Sequence, residues 1–260
     1  MRRRLLAFLV LGVFLLSLGL VGCGQQTAAP QKKVLRVGCE ATYMPFEFQD
    51  EKTHEQTGYD MDVVRAIAKE MGMEVQFVTM NFDGLIPALE AGQVDMLASA
   101  ITITPERSKR VLFSDAYYIS GQSILVKADN TTIKSFKDLE GKRIAAQIGT
   151  TGAEEAKKIK NAKVREFNTT ADMNLELKAG GVDATINDLP VNEYYLAKGG
   201  SKDAKLLDEI QGKEKFGLAV QPSNKELIEK VNQALTTIKK NGEFEKIYVK
   251  WFGKKPLEAI

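Results

Sequence analysis

Two stretches of this chain repeat one another, and the repeat constrains the fold more than any other feature. Leu89-Glu-Ala-Gly-Gln-Val-Asp-Met-Leu-Ala-Ser99 and Leu177-Lys-Ala-Gly-Gly-Val-Asp-Ala-Thr-Ile-Asn-Asp188 each read as a helix end, an Ala-Gly stop, a Val-Asp pair and a short apolar run. A glycine after the last helical turn accepts the left-handed backbone that closes a helix. An apolar run of strand length, without polar alternation, suits a parallel sheet covered on both faces. The chain is therefore expected to build the same α/β unit twice.

The flanking segments agree. VLRVG (34–38), VQFVTM (75–80), SILVK (123–127) and KRIAAQ (142–147) read as strands, as does VDMLAS (94–99). YDMDVVRAIAKEMG places Met61, Val64, Ile67, Ala68 and Met71 on one helical face, and TADMNLELKAG is a shorter helical stretch. Alternating strands and helices predict an α/β architecture with mainly parallel sheets.

Ligands of open α/β sheets sit beyond the carboxyl ends of the strands. In the first copy that end is Ser99, with Thr102 and Arg107 just beyond; in the second it is Asn187-Asp188. Thr104-Pro105-Glu106 reads as an N-cap, a proline at the first helical position and an acid in the first turn, which puts Arg107 near a helix N-terminus. That end already carries partial positive charge, so the guanidinium needs an anion, either a protein carboxylate such as Asp115 or a ligand. One copy thus offers a cation and the other an anion. A cleft between them suits a small zwitterion, with its carboxylate on Arg107 and its ammonium on Asp188. QIGTTGAEEAKK follows a strand and opens a helix, so the N–H groups around Thr150 and Thr151 can also hold an anion. It matches neither glycine-rich phosphate pattern.

The chain opens with Met1-Arg-Arg-Arg4 and an apolar run from Leu5 to Val21, followed by Gly22-Cys23-Gly24. A basic start, an apolar middle and small residues at the break make a secretory leader; an uncleaved anchor is the alternative for a run of this length. Leu20-Val21-Gly22-Cys23 is similar to the bacterial lipobox, which implies lipidation of Cys23 and a chain held on a membrane surface without spanning it. GQQTAAPQKK then suits a flexible tether. Both readings put the folded part outside the cytoplasm. Removing residues 1–22 removes three arginines and no acids, taking the formal net charge from +2 to −1. Such a chain, without a basic cluster, is a poor nucleic-acid binder. Besides Cys23 only Cys39 remains, so no disulfide is expected within the mature body. What is left is long enough for one large domain or two lobes.

Several motifs in order carry a resemblance over nearly all of residues 34–254: VLRVGCEATYMPFEF, GYDMDVVRAIA, FDGLIPALEAGQVDML, TITPERSKRVLFSDAYY, LEGKRIAAQIGTT, GGVDATINDLP and EKIYVKWFG. On these the chain resembles the extracytoplasmic solute-binding proteins of polar amino-acid ABC importers, the family 3 receptors for lysine, arginine, ornithine, histidine or glutamine. The resemblance implies the two-lobed periplasmic-binding-protein fold of type II, with hinged lobes. Lobe 1 would comprise residues 34–120 and 215–260, and lobe 2, inserted in it, residues 121–214, after a leader (1–22) and a lipidated tether (23–33). It implies a monomer that closes on an amino acid and presents it to a membrane permease driven by an ATPase.

Carried over position by position, the resemblance places Arg107 on the ligand α-carboxylate, helped by Thr102 and by the backbone around Thr150 and Thr151. It places Asp188 and the Ser99 region on the α-ammonium, and Tyr43 and Phe82 as aromatic walls. Glu40 matches the acidic position that meets a cationic side chain, and an acid between aromatic faces favours a cation. A basic amino acid is the expected ligand; glutamine or another polar amino acid is the alternative. Ala100 stands where relatives often carry serine or glycine, and Gln147, at a strand end, is either a side-chain contact or structural.

No catalytic constellation accompanies these residues, and no metal or cofactor is expected. His54 lies in a polar turn, Cys39 is flanked by apolar residues as a packed cysteine is, and Asp60 and Asp62 at a helix start are expected to favour its dipole. Trp251 reads as core. The alternative from another class is an enzyme on the same scaffold, resembling periplasmic cyclohexadienyl dehydratases, for which Glu40 would have to act as the general acid.

Overall fold

The computed structural model describes residues 33–256; the leader, Cys23 and the rest of the tether up to residue 32 lie outside them. The chain starts with β1 (Val34–Cys39), followed by a small antiparallel sheet of β2 (Thr42–Tyr43), β3 (Glu47–Gln49) and β4 (Gln56–Thr57). Helix α1 (Tyr59–Glu70), strand β5 (Glu74–Thr79), helix α2 (Leu85–Glu90), strand β6 (Met96–Leu97), the single turn α3 (Pro105–Ser108) and β7 (Leu112–Phe113) complete the first passage.

A long strand, β8 (Tyr118–Lys127), then crosses into a second sheet with β9 (Arg143–Gln147), α4 (Thr151–Lys158), β10 (Lys163–Phe167), α5 (Thr170–Ala179), β11 (Ala184–Asp188) and α6 (Leu189–Ala197). Strand β12 (Ala204–Phe216) runs back beside β8. β13 (Ala219–Val220), α7 (Lys225–Lys240) and α8 (Glu243–Phe252) then rejoin the first lobe.

The first sheet has the order β5-β1-β6-β13-β7 and the second β10-β9-β11-β8-β12. Each is parallel where βα units build it, at β5-β1-β6 and β10-β9-β11, and antiparallel where the crossing or returning strands join. The result is a two-lobed α/β molecule.

The repeat works alike in both lobes. Gly92 and Gly180 take left-handed φ of 71° and 78° after α2 and α5, as only glycine does without strain. The aspartate of each Val-Asp pair then clamps an arginine near the start of the neighbouring parallel strand. Asp95 Oδ2 accepts the Arg36 backbone N–H at 2.9 Å and Oδ1 its guanidinium at 2.6 Å. Asp183 accepts the Arg143 N–H at 2.9 Å and its guanidinium at 2.5 Å. The two short apolar strands are thereby set in register against β1 and β9.

On α1, Met61, Val64, Ile67 and Ala68 are buried as the periodicity predicts. The 94–99 run pairs only at Met96–Leu97, and the backbone then turns at Ala100, which has φ 44°. The expectation for Asp60 is corrected: it is fully buried rather than a dipole-favouring surface acid, and its Oδ2 accepts the Tyr117 hydroxyl at 2.6 Å and the Ala100 N–H at 2.8 Å. Asp62 is half-buried at the surface, between Arg65, Lys250 and the Trp251 indole N–H. Tyr118 and Phe216 pair across the roots of the crossing strands and stack at 5.6 Å, with Phe46 edge-on to both. This aromatic floor fixes the point from which the strands cross.

Candidate functional site

The cleft floor lies where β6, β11 and the crossing strands end. On the first lobe, Thr104 caps α3 by accepting the Arg107 N–H at 3.2 Å, and Pro105 takes the first helical position. The helix is one turn long, so it serves to aim Arg107 inward rather than to supply a dipole. Arg107 is buried, and is the one buried arginine or lysine among the described residues. It donates through Nη1 to the Thr102 carbonyl at 2.9 Å and, across the cleft, through Nη2 to the Gly149 carbonyl at 3.0 Å. Its guanidinium carbon lies 5.4 Å from the centre of the half-buried Phe82 ring. No carboxylate among the described residues comes within ion-pair distance of it, and Asp115 turns elsewhere. Burial lowers its pKa, while Glu154, Glu214 and Asp188 pull in the other direction. Gly149 has φ 78°, and a Cβ there would meet Asp83 at 3.2 Å, so a glycine lets the lobes approach at this point.

The opposite wall is acidic. Asp188 ends β11, with Oδ2 2.5 Å from the Tyr43 hydroxyl, which also lies 2.8 Å from Asn187 Oδ1, and with Oδ1 accepting Gln122 Nε2 at 3.1 Å. Tyr43 thus supplies a polar end as well as an aromatic face. Burial, together with the neighbouring Glu214, pushes the Asp188 carboxyl up to about 8, against the Tyr43 hydroxyl and Arg107. Glu214, on β12, accepts from Thr102 Oγ1 at 2.9 Å, Thr151 Oγ1 at 3.1 Å and Gln122 Nε2 at 3.1 Å. The Thr102 and Thr151 side chains therefore meet at one carboxyl. Thr150 does not join them: its hydroxyl donates to the Gln147 carbonyl at 2.7 Å and accepts the Ala153 N–H as the cap of α4. Its hydroxyl is thus engaged locally.

At the far end, Glu40 is only 4% exposed. It accepts from Thr42 Oγ1 and, across the cleft, from Gln147 Nε2 at 2.7 Å; Gln147 also donates to the Asn168 carbonyl. A solvent-facing Glu40 is thereby ruled out. Burial raises its pKa, opposed by these two donors. Ser99 Oγ accepts the Glu40 N–H at 3.0 Å and donates to Glu47 Oε1 at 2.6 Å. Glu47 and Asp60 form a second acidic layer beneath Ser99 and Ala100. Burial and the Asp60 charge push Glu47 well up, and burial takes Asp60 to about 7. Glu47 Oε2, Asp60 Oδ1, Gln122 Oε1 and Gln147 Oε1 are buried acceptors without a donor. On this side of the cleft the unoccupied hydrogen-bonding capacity is acceptor capacity, which suits ammonium or guanidinium groups, while Arg107 spends only two of its five N–H donors.

The structure brings together Glu40, Tyr43, Ser99, Ala100, Thr102, Arg107, Gln147, Thr151 and Asp188, with Phe82 beside Arg107. Sequence reasoning missed Glu47, Gln122 and Glu214. Gln122 carried a signal, a polar residue in the apolar strand GQSILV. Glu214 carried none within QGKEKF.

The chain matches the family of bacterial extracellular solute-binding proteins, family 3, over residues 35–254, and belongs to it. The arginine-binding extracellular protein ArtP of Bacillus subtilis is 34% identical over 242 residues, covering 91% of this chain and 94% of that protein. Among solved structures, an ancestral arginine-binding protein bound to arginine superposes with a TM-score of 0.82 at 43% identity, over 85% of this chain and 99% of the other. The ancestral amino acid-binding protein AncCDT-1, a precursor of cyclohexadienyl dehydratase, does so at 0.79 and 43%, over 84% and 95%. Among the described residues no helix is long and apolar enough to cross a membrane, and no group of three histidines, cysteines or carboxylates could hold a metal. The buried Cys39 thiol is pushed up by burial, as an inert packed residue is.

Proposed function

We propose that this protein is the substrate-binding component of an ABC importer and captures a basic L-amino acid by closure of its lobes. One observation carries the reading: a buried arginine without a carboxylate partner faces Asp188 across the cleft, with a buried glutamate at the far end. A guanidinium fork takes a ligand α-carboxylate bidentately, with Thr102 and Thr151 adding hydroxyl donors. Asp188 and Ser99 hold the α-ammonium, Tyr43 and Phe82 flank the chain, and Glu40 with Gln147 meets the side-chain cation. A cation there ionises Glu40, offsetting what its burial costs. The similarity to arginine-binding proteins supports the same ligand class.

Arg107 to Gly149, Gln147 to Glu40 and Tyr43 to Asp188 each join the two lobes, so a ligand touching both sides favours the closed form. Residues 34–120 and 215–256 form the first lobe in this reading and 121–214 the second. Lipidated Cys23 would tether a monomer to the outer face of a membrane, near the permease.

The test is isothermal titration of protein unfolded and refolded to strip bound ligand, against arginine, lysine, histidine and glutamine. Binding of a cationic amino acid without glutamine is the expected result; glutamine alone discards Glu40 as a charge selector. A second reading, dehydratase chemistry with protonated Glu40 as acid, draws on the likeness to AncCDT-1 and on the raised Glu40 pKa. Incubation with prephenate or arogenate separates the two: a new absorbing product supports the enzyme.

A further inference from the structure

Glu214 lies outside both copies of the repeat, on the strand that returns between the lobes, yet its carboxyl reaches the centre of the cleft. It accepts from Thr102 on one lobe and from Thr151 and Gln122 on the other. Gln122 Nε2 also donates to Asp188, so one amide ties the two acids together at 3.1 Å from each. Two carboxyls held this way in a water-poor site repel one another unless a cation or a proton lies between them. The elevation of the Asp188 carboxyl by Glu214 is the same repulsion seen from the other side. Arg107 does not fill this role, since its visible bonds go to two backbone carbonyls and it stands beyond ion-pair distance of either acid.

We propose that Glu214 is a specificity-determining residue: with Asp188 it forms a two-carboxylate seat for the ligand α-ammonium, so that a primary ammonium at the α-carbon is favoured over a hydroxyl. The inference rests on the amino-acid reading above and deepens it. A threonine hydroxyl has one proton to donate. When a ligand carboxylate on Arg107 draws the Thr102 and Thr151 hydroxyls, Glu214 loses two of its three donors. An ammonium supplies three, enough for Glu214 and Asp188 together. The same residue then links recognition to closure, because its donors come from both lobes.

The experiment is titration of stripped protein with L-arginine and with L-argininic acid, the same molecule bearing a hydroxyl in place of the α-ammonium. The unmutated protein, Glu214→Gln and Glu214→Asp are compared. Losing a charge-assisted contact in Glu214→Gln weakens arginine about 10-fold or more, while argininic acid changes less than about 3-fold, and Glu214→Asp recovers part of the loss. Equal weakening of both ligands marks a structural or hinge role and overturns the proposal. Tighter binding of both overturns it too, by showing that Glu214 competes with the ligand carboxylate. Failure of the unmutated protein to bind either ligand overturns the arginine reading itself and this proposal with it, a result distinct from the other two.

Discussion

At the amino end of the repeated strand the two lobes are interchangeable, and at the carboxyl end they are opposites. Asp95 with Arg36 and Asp183 with Arg143 make the same clamp, down to the backbone N–H that each aspartate accepts. Four or five residues later, one copy runs through Ser99 and Ala100 toward Arg107, and the other stops at Asp188. The clamp serves sheet register, which both lobes need equally. The strand end serves the cleft, where two identical faces would place like charge against like charge. The difference shows where a duplicated unit is constrained by its own folding and where it is free to be shaped by what it faces.

The comparison breaks most readily at the charged ends. Arg107→Ala removes the buried charge to which the proposed function assigns the ligand carboxylate, and is expected to weaken arginine binding by about 2–5 kcal/mol in titration calorimetry. An affinity close to that of the unmutated protein would detach Arg107 from the ligand carboxylate. Next, Glu40→Gln should reduce the preference for arginine over glutamine about 10- to 100-fold by removing a charge-assisted contact. An unchanged preference would place side-chain selection elsewhere.

A third effect separates the lobes by pH. Asp188 titrates at about 8 and Asp60 at about 7 in the fold, against about 4 for an aspartate in the unfolded chain. Between pH 4 and pH 8 the unfolded chain gives up these protons while the folded one keeps them, so the unfolded state binds fewer. Stability of the ligand-free protein is therefore greatest below about pH 4 as far as these two groups are concerned, falls across the window, and levels off above about 8. Melting curves across this range should show a shallower fall in Asp188→Asn; an identical slope would remove Asp188 as a source.

The smallest effect is the shared one. Asp95→Asn and Asp183→Asn should each lower the melting temperature by about 2–4 °C, as the loss of a partly exposed clamp does in a chain of this size. Unequal losses would show that the two clamps are not equivalent.

Much of this was readable in advance, for physical reasons that differ by residue. The repeat was legible because a helix stop and a buried strand leave local signatures, Gly92 and Gly180 most directly. Arg107 was legible because Thr104 and Pro105 announce a cap and an arginine there has no local reason. Asp60 was misread although it shares a helical face with Val64, Ile67 and Met71; the periodicity pointed inward while its chemistry suggested water. Thr150 and Thr151 are adjacent and alike in type, and only the geometry of the α4 cap decides which hydroxyl is left for the cleft. Glu214 and Glu47 reach the site through tertiary placement alone, one on a crossing strand and one beneath Ser99.

The sheet order has a consequence for how the molecule is made. β13, at residues 219–220, lies between β6 and β7 and is their common partner. All five strands of the second sheet lie within residues 118–216. A chain synthesised from its amino end thus has every strand of the second lobe before the first lobe's sheet can close, and domains tend to fold as units in that order. The lobe begun first is finished last, with α7 and α8 laid over it at the end. Until then, the β6 and β7 edges wait for a partner that is made only after both crossing strands.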